Sequence, residues 1–407
     1  MPELELPARA PLAELPPPYD AGVLLKPVAE LADPKLEGRG LGTEGLERAT
    51  DLVEARLEAI GLEAAGEQGF RQSWSWTGGE PPREIELVNL VAEVPGSDES
   101  LSDEPVVVLA HLDHLGRGWP DVRGENKGEI HPGADDNASG VAVLLELAKT
   151  MAAEPPRPRP VVFAVVTGEE AGLLGSRHLL ASMDEGSRPF ACVNLDTVGR
   201  LSDGKLYVLN AGTAREWRFI FMGVGYTTGA PVAVVSEPLD ASDQVACIEE
   251  GIPAIQLFTG PTQDYHRPSD TVATIDADGM VVVTQAAHEA VGYLAERTDP
   301  LTVTIAPEGE RAAAPPEKAE RRASFGTMPD FSFEGEGVRV QQVMPGSAAE
   351  TAGILPGDVI VAFDGESVAD LRSFSALLKA RNPGDPVEVT VLRDGENRII
   401  TAVLGAR

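Results

Sequence analysis

The amino-acid sequence predicts a three-layer α/β/α domain followed by a small α+β domain. Two observations predict the first domain: four apolar runs are continuously hydrophobic, as in strands buried on both faces, and helical patterns lie between them. Together they indicate a layered α/β domain, with a sheet between layers of helices. The second domain is predicted by strand-period alternation, which begins after a stretch rich in Pro, Ala and charged residues.

Each predicted element rests on its own pattern. A helix is predicted over Gly45–Ile60, with Thr43 as its N-cap and Gly61 as its stop. Later helices are indicated by the i, i+3, i+4, i+7 recurrence that begins at Val141, and by the pattern over Val281–Ala295. The predicted strands of the sheet are Ile85–Val94, Val106–Ala110, Val161–Val166 and Ala254–Phe258.

Composition shifts divide the chain into four predicted parts. An irregular, proline-rich segment occupies residues 1–27, and the α/β domain occupies residues 28–297. A linker follows over residues 298–323, and the second domain covers residues 324–407.

Composition and charge exclude several classes of function. The chain has 407 residues, of which 65 are acidic and 33 are Lys or Arg, and its formal charge is −32. This balance argues against nucleic acid or an anionic membrane surface as the partner. No apolar window is long enough for a membrane span. The N-terminus lacks a basic region followed by an apolar run, so the sequence as written predicts a cytoplasmic protein. A periplasmic or secreted location is the alternative if a leader is missing.

Several side chains with potential chemistry are interpreted as structural. Cys192 and Cys247 lie far apart, lack CxxC spacing and have no neighbouring metal ligands. We interpret both as buried small apolar residues. The histidines given a structural role in the same way are His114, His131, His178 and His288.

Polar residues follow the predicted strands. In open α/β sheets, ligands bind beyond the carboxyl ends of the strands. One such edge can therefore bring together imidazoles and acidic groups from five separate segments. The residues in these positions are His111, Asp136, the pair Glu169-Glu170, Asp196 and His266.

These residue types match a two-zinc centre, because zinc is bound by imidazole and carboxylate groups. His111 and Asp196 could hold one ion, Glu170 and His266 the other, and Asp136 could bridge both. A bridging carboxylate lets two dications lie about 3.5–4 Å apart, where a shared water can lose a proton near neutral pH and attack a carbonyl. A chain of this length does not need a metal to fold, so we expect the centre to be catalytic.

Three further residues are assigned assisting roles. Glu169 and Glu170 cannot both ligate one ion without distortion, so Glu170 is assigned to metal and Glu169 to the water as general base. Asp113 has His-x-Asp spacing, which suits a carboxylate that accepts from the far ring nitrogen of His111 and fixes its tautomer. Tyr265 is assigned to hydrogen bonding of the developing oxyanion.

Six motifs resemble the co-catalytic di-zinc aminopeptidase family of zinc exopeptidases, whose relatives include glutamate carboxypeptidases and glutaminyl cyclases. They read AHLDHLG, GEIHPGADDNASG, TGEEAGLLGS, NLDTVG, SDQVACIEEGIPAIQLFTG and DYHRPSDT, and the resemblance covers about residues 28–297. The resemblance implies the zinc-exopeptidase fold, a three-layer α/β/α domain with a mixed, mostly parallel sheet, and the same ligands and assisting acids. It also decides between Asp135 and Asp136, because the family's bridging aspartate directly precedes the Asn of the DNxSG turn. Gln244 is a departure, since many relatives carry histidine there.

The second domain resembles a PDZ domain in the order of GVRV, PGSAAETAG, LPGDVIVAFDG and a helix predicted over Leu371–Ala380. In that family, backbone amides of a loop hold a peptide's C-terminal carboxylate, and the peptide adds as a strand beside the helix. The corresponding loop is Phe325–Phe331, and peptide contacts are assigned to Gly326, Met328 and Phe331. The alternative is a PDZ fold that only packs on or gates the catalytic domain.

The sequence thus predicts a metal-dependent exopeptidase, foremost an aminopeptidase, with two Zn²⁺ per chain for which Co²⁺ or Mn²⁺ could substitute. Its expected substrates are peptides whose free α-ammonium enters a carboxylate-rich pocket. A glutamate-carboxypeptidase-like hydrolase is the first alternative and a mono-zinc cyclase the second. The carboxypeptidase would need clustered arginines, but those around the motifs are scattered. An alternative from another class is a catalytically degenerate peptide-binding protein that acts through its PDZ domain. The complete ligand set argues against it.

Overall fold

A computed structural model describes residues 19–120, 126–184, 186–202, 204–239, 242–305, 323–331, 333 and 335–406. Residues 1–18 of the predicted N-terminal segment and residues 306–322 of the predicted linker lie outside this part of the chain. The layered domain lies within residues 19–305, and the second domain within residues 323–406.

The layered domain begins with helix α1 (Ala21–Leu31). Asp20 caps this helix by accepting a hydrogen bond from the Val23 amide at 2.9 Å, and the apolar face of α1 joins the main core. The boundary predicted between residues 27 and 28 therefore falls inside a helix. The position of Pro27 within α1 explains the difference, because proline in a sequence argues against a helix interior.

Helix α2 (Glu44–Ile60) confirms the helix predicted over this stretch. Thr43 Oγ1 accepts from the Leu46 amide at 3.2 Å, and Gly61 adopts the left-handed conformation, with φ 84°, that ends the helix. The other helices described in this domain are α3 (Gly140–Ala153), α4 (Leu174–Ala181), α5 (Trp217–Thr228), α6 (Gln244–Glu249) and α7 (Ala277–Glu296).

A nine-stranded mixed sheet forms the middle layer of this domain in the described residues. Its strands are β1 (Glu63–Ala64), β2 (Arg71–Gly78), β3 (Arg83–Val94), β4 (Val106–His111), β5 (Val161–Val166), β6 (Ala191–Leu195), β7 (Leu206–Leu209), β8 (Val232–Val234) and β9 (Ala254–Phe258). Their order is β1-β3-β5-β4-β6-β9-β7-β8, with β2 beside β3. The central strands β5, β4, β6 and β9 run parallel, and the antiparallel pairs β3–β5 and β7–β9 flank them. The predicted mixed sheet is confirmed.

Helices cover both faces of the sheet, as the continuous hydrophobicity predicts. Along β4, Val106 and Val108 face the core that is shared with α1, α2, α3, α5 and α7. Their neighbours Val107 and Leu109 face the smaller core under α4 and α6. Strands buried on both faces need apolar residues at every position, which explains why the runs do not alternate.

A disulfide joins Cys192 on β6 to Cys247 on α6 in the smaller core. Both cysteines are fully buried, but their interpretation as two separate apolar residues is wrong. They lie 55 residues apart in the chain, with Cα atoms 6.6 Å apart. The pair forms because α6 folds back over β6, a long-range contact that no local cysteine spacing can indicate.

The second domain has a six-stranded antiparallel sheet with the order β11-β12-β13-β15-β16, β14 beside β13, and a separate β10–β17 pair. Phe325, Phe363 and Phe374 meet edge to face in its core. The predicted helix beginning at Leu371 is confirmed. The elements are β10 (Ala323–Ser324), β11 (Thr327–Pro329), β12 (Val338–Val343), α8 (Ala348–Ala352), β13 (Val359–Phe363), β14 (Glu366–Ser367), α9 (Leu371–Lys379), β15 (Pro386–Arg393), β16 (Glu396–Val403) and β17 (Gly405–Ala406).

An aromatic contact joins the two domains. The Phe331 ring lies edge-on to Tyr207 and Phe258, with ring centroids 5.8 Å apart in both pairs. The Tyr207 side chain also hydrogen-bonds with Gln341 of the second domain. Because Phe258 ends β9, the second domain packs against the strand that leads to the loop of His266.

Within the described part of the chain, no helix is both long enough and apolar enough to cross a bilayer.

Candidate metal centre

The five predicted metal ligands meet at the carboxyl edge of the parallel strands. His111 ends β4, Asp196 directly follows β6, and Asp136 lies in the turn before α3. Glu170 and His266 lie on the segments that follow β5 and β9. All five side chains are nearly buried. The topology therefore brings together groups that are far apart in the sequence.

One group of possible ligands contains His111, Asp136 and Asp196. His111 Nε2 lies 3.3 Å from Asp136 Oδ1 and 3.5 Å from Asp196 Oδ1. Two atoms that each lie about 2.1 Å from a tetrahedral zinc ion are about 3.4 Å apart, so these separations fit such a cation. His111 Nδ1 donates to the main-chain carbonyl of Asp113 at 3.0 Å, which leaves Nε2 free to act as a ligand.

The second group is arranged around His266. Its Nε2 lies 3.3 Å from Asp136 Oδ2 and 3.3 Å from Glu170 Oε2, again the separation expected of atoms that share an ion. Asp136 thus directs one carboxylate oxygen to each of two imidazoles. This chemistry and spacing fit a bridging carboxylate between two cation sites.

A third imidazole, that of His114, lies beside the second group and could form a metal-binding cluster with Asp136 and Glu170. His114 Nδ1 is 2.8 Å from Glu170 Oε1 and 3.9 Å from Asp136 Oδ1. The shorter distance is that of a hydrogen bond, and it is too short for two atoms that ligate one ion. His266 therefore fits the ligand role better. The sequence interpretation of His114 as structural missed its contact with the centre.

Burial and neighbouring imidazoles act in opposite directions on Asp136. Desolvation raises its pKa, but the charge of His114 and hydrogen bonds from His111 and His266 outweigh desolvation and hold the pKa well below its usual value. Asp136 is therefore ionised, as a ligand must be.

Arg39 is a fully buried cation beside the centre. Burial lowers its pKa to about 10, against the opposing effect of Asp136 and other nearby acids, so it remains charged at neutral pH. All four of its hydrogen bonds go to main-chain carbonyls, those of Leu31, Leu112, Pro132 and Gly133. Arg39 thereby holds together segments that carry candidate ligands. The sequence does not predict this role, because Arg39 lies in a turn-rich stretch without a chemical motif.

Asp270, in the motif DYHRPSDT, holds the turn that carries Asp136, the candidate bridging residue. Its two carboxylate oxygens accept from the amides of Asp135 at 3.0 Å and Asp136 at 3.1 Å. The Asp135 carboxylate accepts instead from the Gly199 amide at 2.7 Å, and no possible ligand group in the described residues includes it. Asp136 therefore belongs to both possible ligand groups, whereas Asp135 supports the turn.

Asp113 contacts a different partner from the one predicted. Its carboxylate accepts from the amides of Gly168 at 2.7 Å, Glu169 at 3.3 Å and Glu170 at 3.4 Å. Asp113 Oδ1 lies 3.9 Å from His111 Nδ1, too far for a hydrogen bond. His111 Nδ1 donates instead to the main-chain carbonyl of Asp113. Three converging amides attract the carboxylate more strongly than one ring nitrogen does. Asp113 therefore orients the turn after β5.

Glu169, the predicted general base, lies on that turn. Desolvation raises its pKa well above the usual value; His111 opposes this rise, and Glu170 and Asp243 add to it. Asp243, which the sequence did not single out, is fully buried and accepts a hydrogen bond from Ser176 Oγ at 2.5 Å. The acidic surroundings favour a carboxyl group that holds a proton readily.

Tyr265 stacks on His266, with ring centroids 3.8 Å apart and planes 20° apart. Desolvation and the surrounding acids, Asp136 and Glu170 first among them, raise its pKa well above 10, although 44% of the residue is exposed. The phenol therefore keeps its proton.

Gln244 is buried and forms hydrogen bonds with three other buried amide side chains. It accepts from Asn194 Nδ2 at 3.0 Å and donates to Asn210 Oδ1 at 3.1 Å and to Gln256 Oε1 at 3.2 Å. Gln256 Nε2 in turn lies 3.4 Å from Asp196 Oδ2. The Gln244 amide thus both donates and accepts in this chain of contacts.

The structure disperses the three predicted peptide contacts of the second domain. Gly326 packs so closely on Ser347 that a Cβ would lie 2.1 Å from the Ser347 Cβ, and Met328 is nearly buried. Phe331 packs against the layered domain. A cavity of about 130 Å³ lies between residues 235–239 of the layered domain, the segment around Phe331, and the start of α9.

Comparisons with known proteins agree with this architecture. The model of "Peptidase family M28" matches residues 89–291, which include all five candidate ligands, and the model "PDZ domain" matches residues 317–404. A glutaminyl cyclase of Bacteroides thetaiotaomicron, solved with N-acetylhistamine, has the same fold with a TM-score of 0.57 at 18% identity. That likeness covers 67% of this chain and 98% of the cyclase.

Two curated relatives carry peptidase names. A probable leucine aminopeptidase of Trichophyton verrucosum (strain HKI 0517) is 27% identical over 265 residues, which are 62% of this chain and 66% of the relative. A probable zinc metalloprotease of Pyrenophora teres f. teres (strain 0-1) is 36% identical over 161 residues, which are 37% of this chain and 33% of the relative. The chain thus spans less than two thirds of the length of these relatives. The chain joins a domain that belongs to peptidase family M28 to a PDZ domain.

Proposed function

We propose that the protein is a zinc-dependent aminopeptidase with two ions in its centre. The observation that carries this proposal is the position of Asp136, whose Oδ1 lies 3.3 Å from His111 Nε2 and whose Oδ2 lies 3.3 Å from His266 Nε2. Asp196 completes one group and Glu170 the other. The names of the curated relatives, a leucine aminopeptidase and a zinc metalloprotease, support the same class.

The reaction divides between the metal and the side chains around it. When bound, two zinc ions supply Lewis-acid polarisation of the scissile carbonyl and lower the pKa of the attacking water. Glu169 accepts the proton of that water at its carboxylate and passes it to the leaving amine. Tyr265 donates a hydrogen bond to the oxygen on which charge develops. The acidic surroundings of Glu169 favour a substrate with a free α-ammonium group.

The environment of Arg200 favours an aminopeptidase over a carboxypeptidase. A carboxypeptidase needs a cation for the substrate's terminal carboxylate. Arg200 instead pairs with Asp264, lies 3.7 Å from Asp135, and donates to the Thr274 carbonyl at 3.2 Å. With its guanidinium engaged in this way, Arg200 is better suited to hold two segments of the chain together.

Hydrolysis of aminoacyl chromogenic amides tests the proposal. The metal-free protein, prepared with a chelator, is compared with the same sample after zinc is restored, over a panel of N-terminal residues. We expect turnover that the chelator abolishes and zinc restores. Absence of chelator-sensitive turnover across the panel would overturn the proposal.

Glu169→Gln separates the general base from metal binding. Glutamine has almost the same shape as glutamate but cannot accept the proton, so the variant is expected to keep its zinc and lose turnover. Zinc content by atomic emission and turnover are measured on one sample. An undiminished rate would refute the assigned role of Glu169.

We further propose that the protein works in an oxidising compartment, that is, a periplasmic or secreted location. The buried pair Cys192–Cys247 supports this, because structural disulfides persist where thiols are not kept reduced. Thiol labelling of the denatured protein, taken directly from its native source, should find no free cysteine. Two free thiols per chain would contradict the location.

For the PDZ domain we propose capture of a peptide C-terminus beside α9. The family to which this domain belongs supports that mode, which uses backbone amides rather than specific side chains. Fluorescence anisotropy with peptides that differ only in a free or amidated C-terminus tests it. Equal binding of both forms, or none, would contradict it.

A further inference from the structure

We propose that His114 is a positioning residue, which holds Glu170 in place for the second ion without binding that ion itself. The inference rests on the proposed two-ion centre and assigns a role to an imidazole outside the five ligands. It follows from three features of His114: its contact with Glu170, the space that the chain leaves for its ring, and the surroundings of its other nitrogen.

The two imidazoles near Glu170 contact different oxygens of its carboxylate. His114 Nδ1 is 2.8 Å from Oε1, whereas His266 Nε2 is 3.3 Å from Oε2. His266 is also 3.3 Å from Asp136, as expected of ligands around one ion, whereas His114 is 3.9 Å from Asp136. His114 is therefore a hydrogen-bond donor to one oxygen of Glu170, and the other oxygen faces the position for the ion.

The chain makes room for this ring. His114 is 1% exposed, and its amide donates to the Arg39 carbonyl at 3.2 Å. A Cβ on Gly133 would lie 2.6 Å from Cδ2 and 2.7 Å from Cγ of the ring, so any side chain at Gly133 would displace it. A glycine next to the segment of Asp136 thus forms the wall against which His114 is held.

The second ring nitrogen indicates where the proton of His114 lies. Nε2 is buried and has no hydrogen-bond partner among the described residues, whereas Nδ1 has the Glu170 carboxylate. Because a carboxylate oxygen accepts hydrogen bonds, Nδ1 carries a proton and donates it to Oε1. A hydrogen bond of this kind fixes the orientation of a ligating carboxylate, and its loss commonly weakens metal binding about 10–100-fold.

Three substitutions separate a positioning role from a ligand role. His114→Asn places an amide donor near the position of Nδ1, and His114→Gln moves the donor one bond further away. His114→Leu removes the donor while filling much of the same space. His178→Leu is the matched control, because His178 is a histidine that stacks on Trp74 and is absent from both possible ligand groups.

The experiment is an equilibrium titration of the metal-free protein with chelator-buffered zinc, with bound zinc measured by atomic emission. For the parent protein we expect two binding steps. His114→Leu and His114→Gln should weaken one step about 10–100-fold and leave the other unchanged. His114→Asn should stay within about threefold of the parent, and the His178→Leu control should match it. His266→Ala should abolish the affected step in the same zinc range.

Each other outcome overturns the inference in a distinct way. Two unchanged steps in the folded His114→Leu protein would mean that the hydrogen bond does not act on metal binding. If His114→Leu does not fold by circular dichroism, an unchanged titration of His114→Gln has the same meaning. Complete loss of one step in His114→Asn, as in His266→Ala, would make His114 a ligand. A single step in the parent protein would overturn the two-ion proposal as well.

Discussion

The Arg39 guanidinium donates from Nη2 to the Gly133 carbonyl at 2.8 Å, across 94 residues of sequence. The same side chain also reaches the carbonyl of Leu112, which lies between the candidate ligand His111 and Asp113. One buried cation therefore sets the distance between the strand end that carries His111 and the turn that carries Asp136. The N-terminal part of the layered domain contributes to the centre through this contact.

Replacing Arg39 with methionine is expected to destabilise the fold. The substitution fills similar space but leaves buried carbonyls unpaired and removes a cation from an acidic region. Loss of one partner of such a buried charged network costs about 3–5 kcal/mol. Arg48→Met is the matched control, since the pair Arg48–Glu44 is exposed and worth under about 1 kcal/mol. Urea unfolding of both variants checks this; equal losses would contradict the role of Arg39.

Asp113→Asn is expected to lower kcat about 10–100-fold while zinc content stays near that of the parent. The carboxylate accepts three amides of the turn that carries Glu169, and an asparagine must direct NH₂ hydrogens at some of them. Turnover and a zinc titration on the same samples check this. Weaker binding of zinc with unchanged kcat would instead favour the role first predicted, in which Asp113 acts on His111.

Asp243→Asn is expected to change the pH dependence of stability. Desolvation raises the pKa of Asp243 from 3.8 to about 7, so the folded protein binds this proton more tightly than the unfolded chain does. Its contribution to the free energy of unfolding is therefore full below about pH 4 and is lost as pH rises toward 7. Asparagine keeps an oxygen that can accept from Ser176 but does not ionise.

The measurement is urea unfolding of the metal-free parent and of Asp243→Asn at pH 4 and pH 8. The stability of the variant relative to the parent should rise between these values by on the order of 2–4 kcal/mol. A difference that is constant with pH, or that moves in the opposite direction, would contradict a buried carboxyl group that resists ionisation.

Phe331→Ala is expected to loosen the contact between the domains without unfolding either. The ring contacts Tyr207 and Phe258, and removing it loses about 1–3 kcal/mol of apolar contact. Small-angle X-ray scattering should show a larger radius of gyration than for the parent. The control is Ile399→Ala, which removes an exposed apolar side chain of the same domain. No difference between the two variants would contradict the docking contact.

Local sequence patterns, namely hydrophobic periodicity and helix-capping residues, were sufficient to predict many of the strands and helices. The run Val161–Val166 and the run Ala254–Phe258 are strands with the predicted ends, and helix α2 begins after Thr43 and stops at Gly61. Burial on both faces and capping chemistry act locally, so their traces remain in the sequence. The polar residues that follow the strand ends likewise predict the candidate ligands, because the carboxyl ends of parallel strands share one edge of the sheet.

Contacts between segments that are far apart in the chain could not be predicted from local sequence patterns. Arg39 binds carbonyl groups, which carry no signature in the residue type. The disulfide Cys192–Cys247 depends on how α6 folds over β6, and the orientation of Phe331 depends on where the second domain docks. His114 lies within the motif AHLDHLG, yet only its distance from Glu170 distinguishes it from a histidine that merely packs.

Diffraction at the zinc absorption edge tests the two-ion centre most directly. Anomalous difference maps from crystals of the zinc-loaded protein should show two peaks per chain, about 3.5–4 Å apart, with Asp136 between them. One peak should lie beside His111 and Asp196, and the other beside Glu170 and His266. A single peak at full zinc loading, or peaks that do not contact Asp136, would contradict the account.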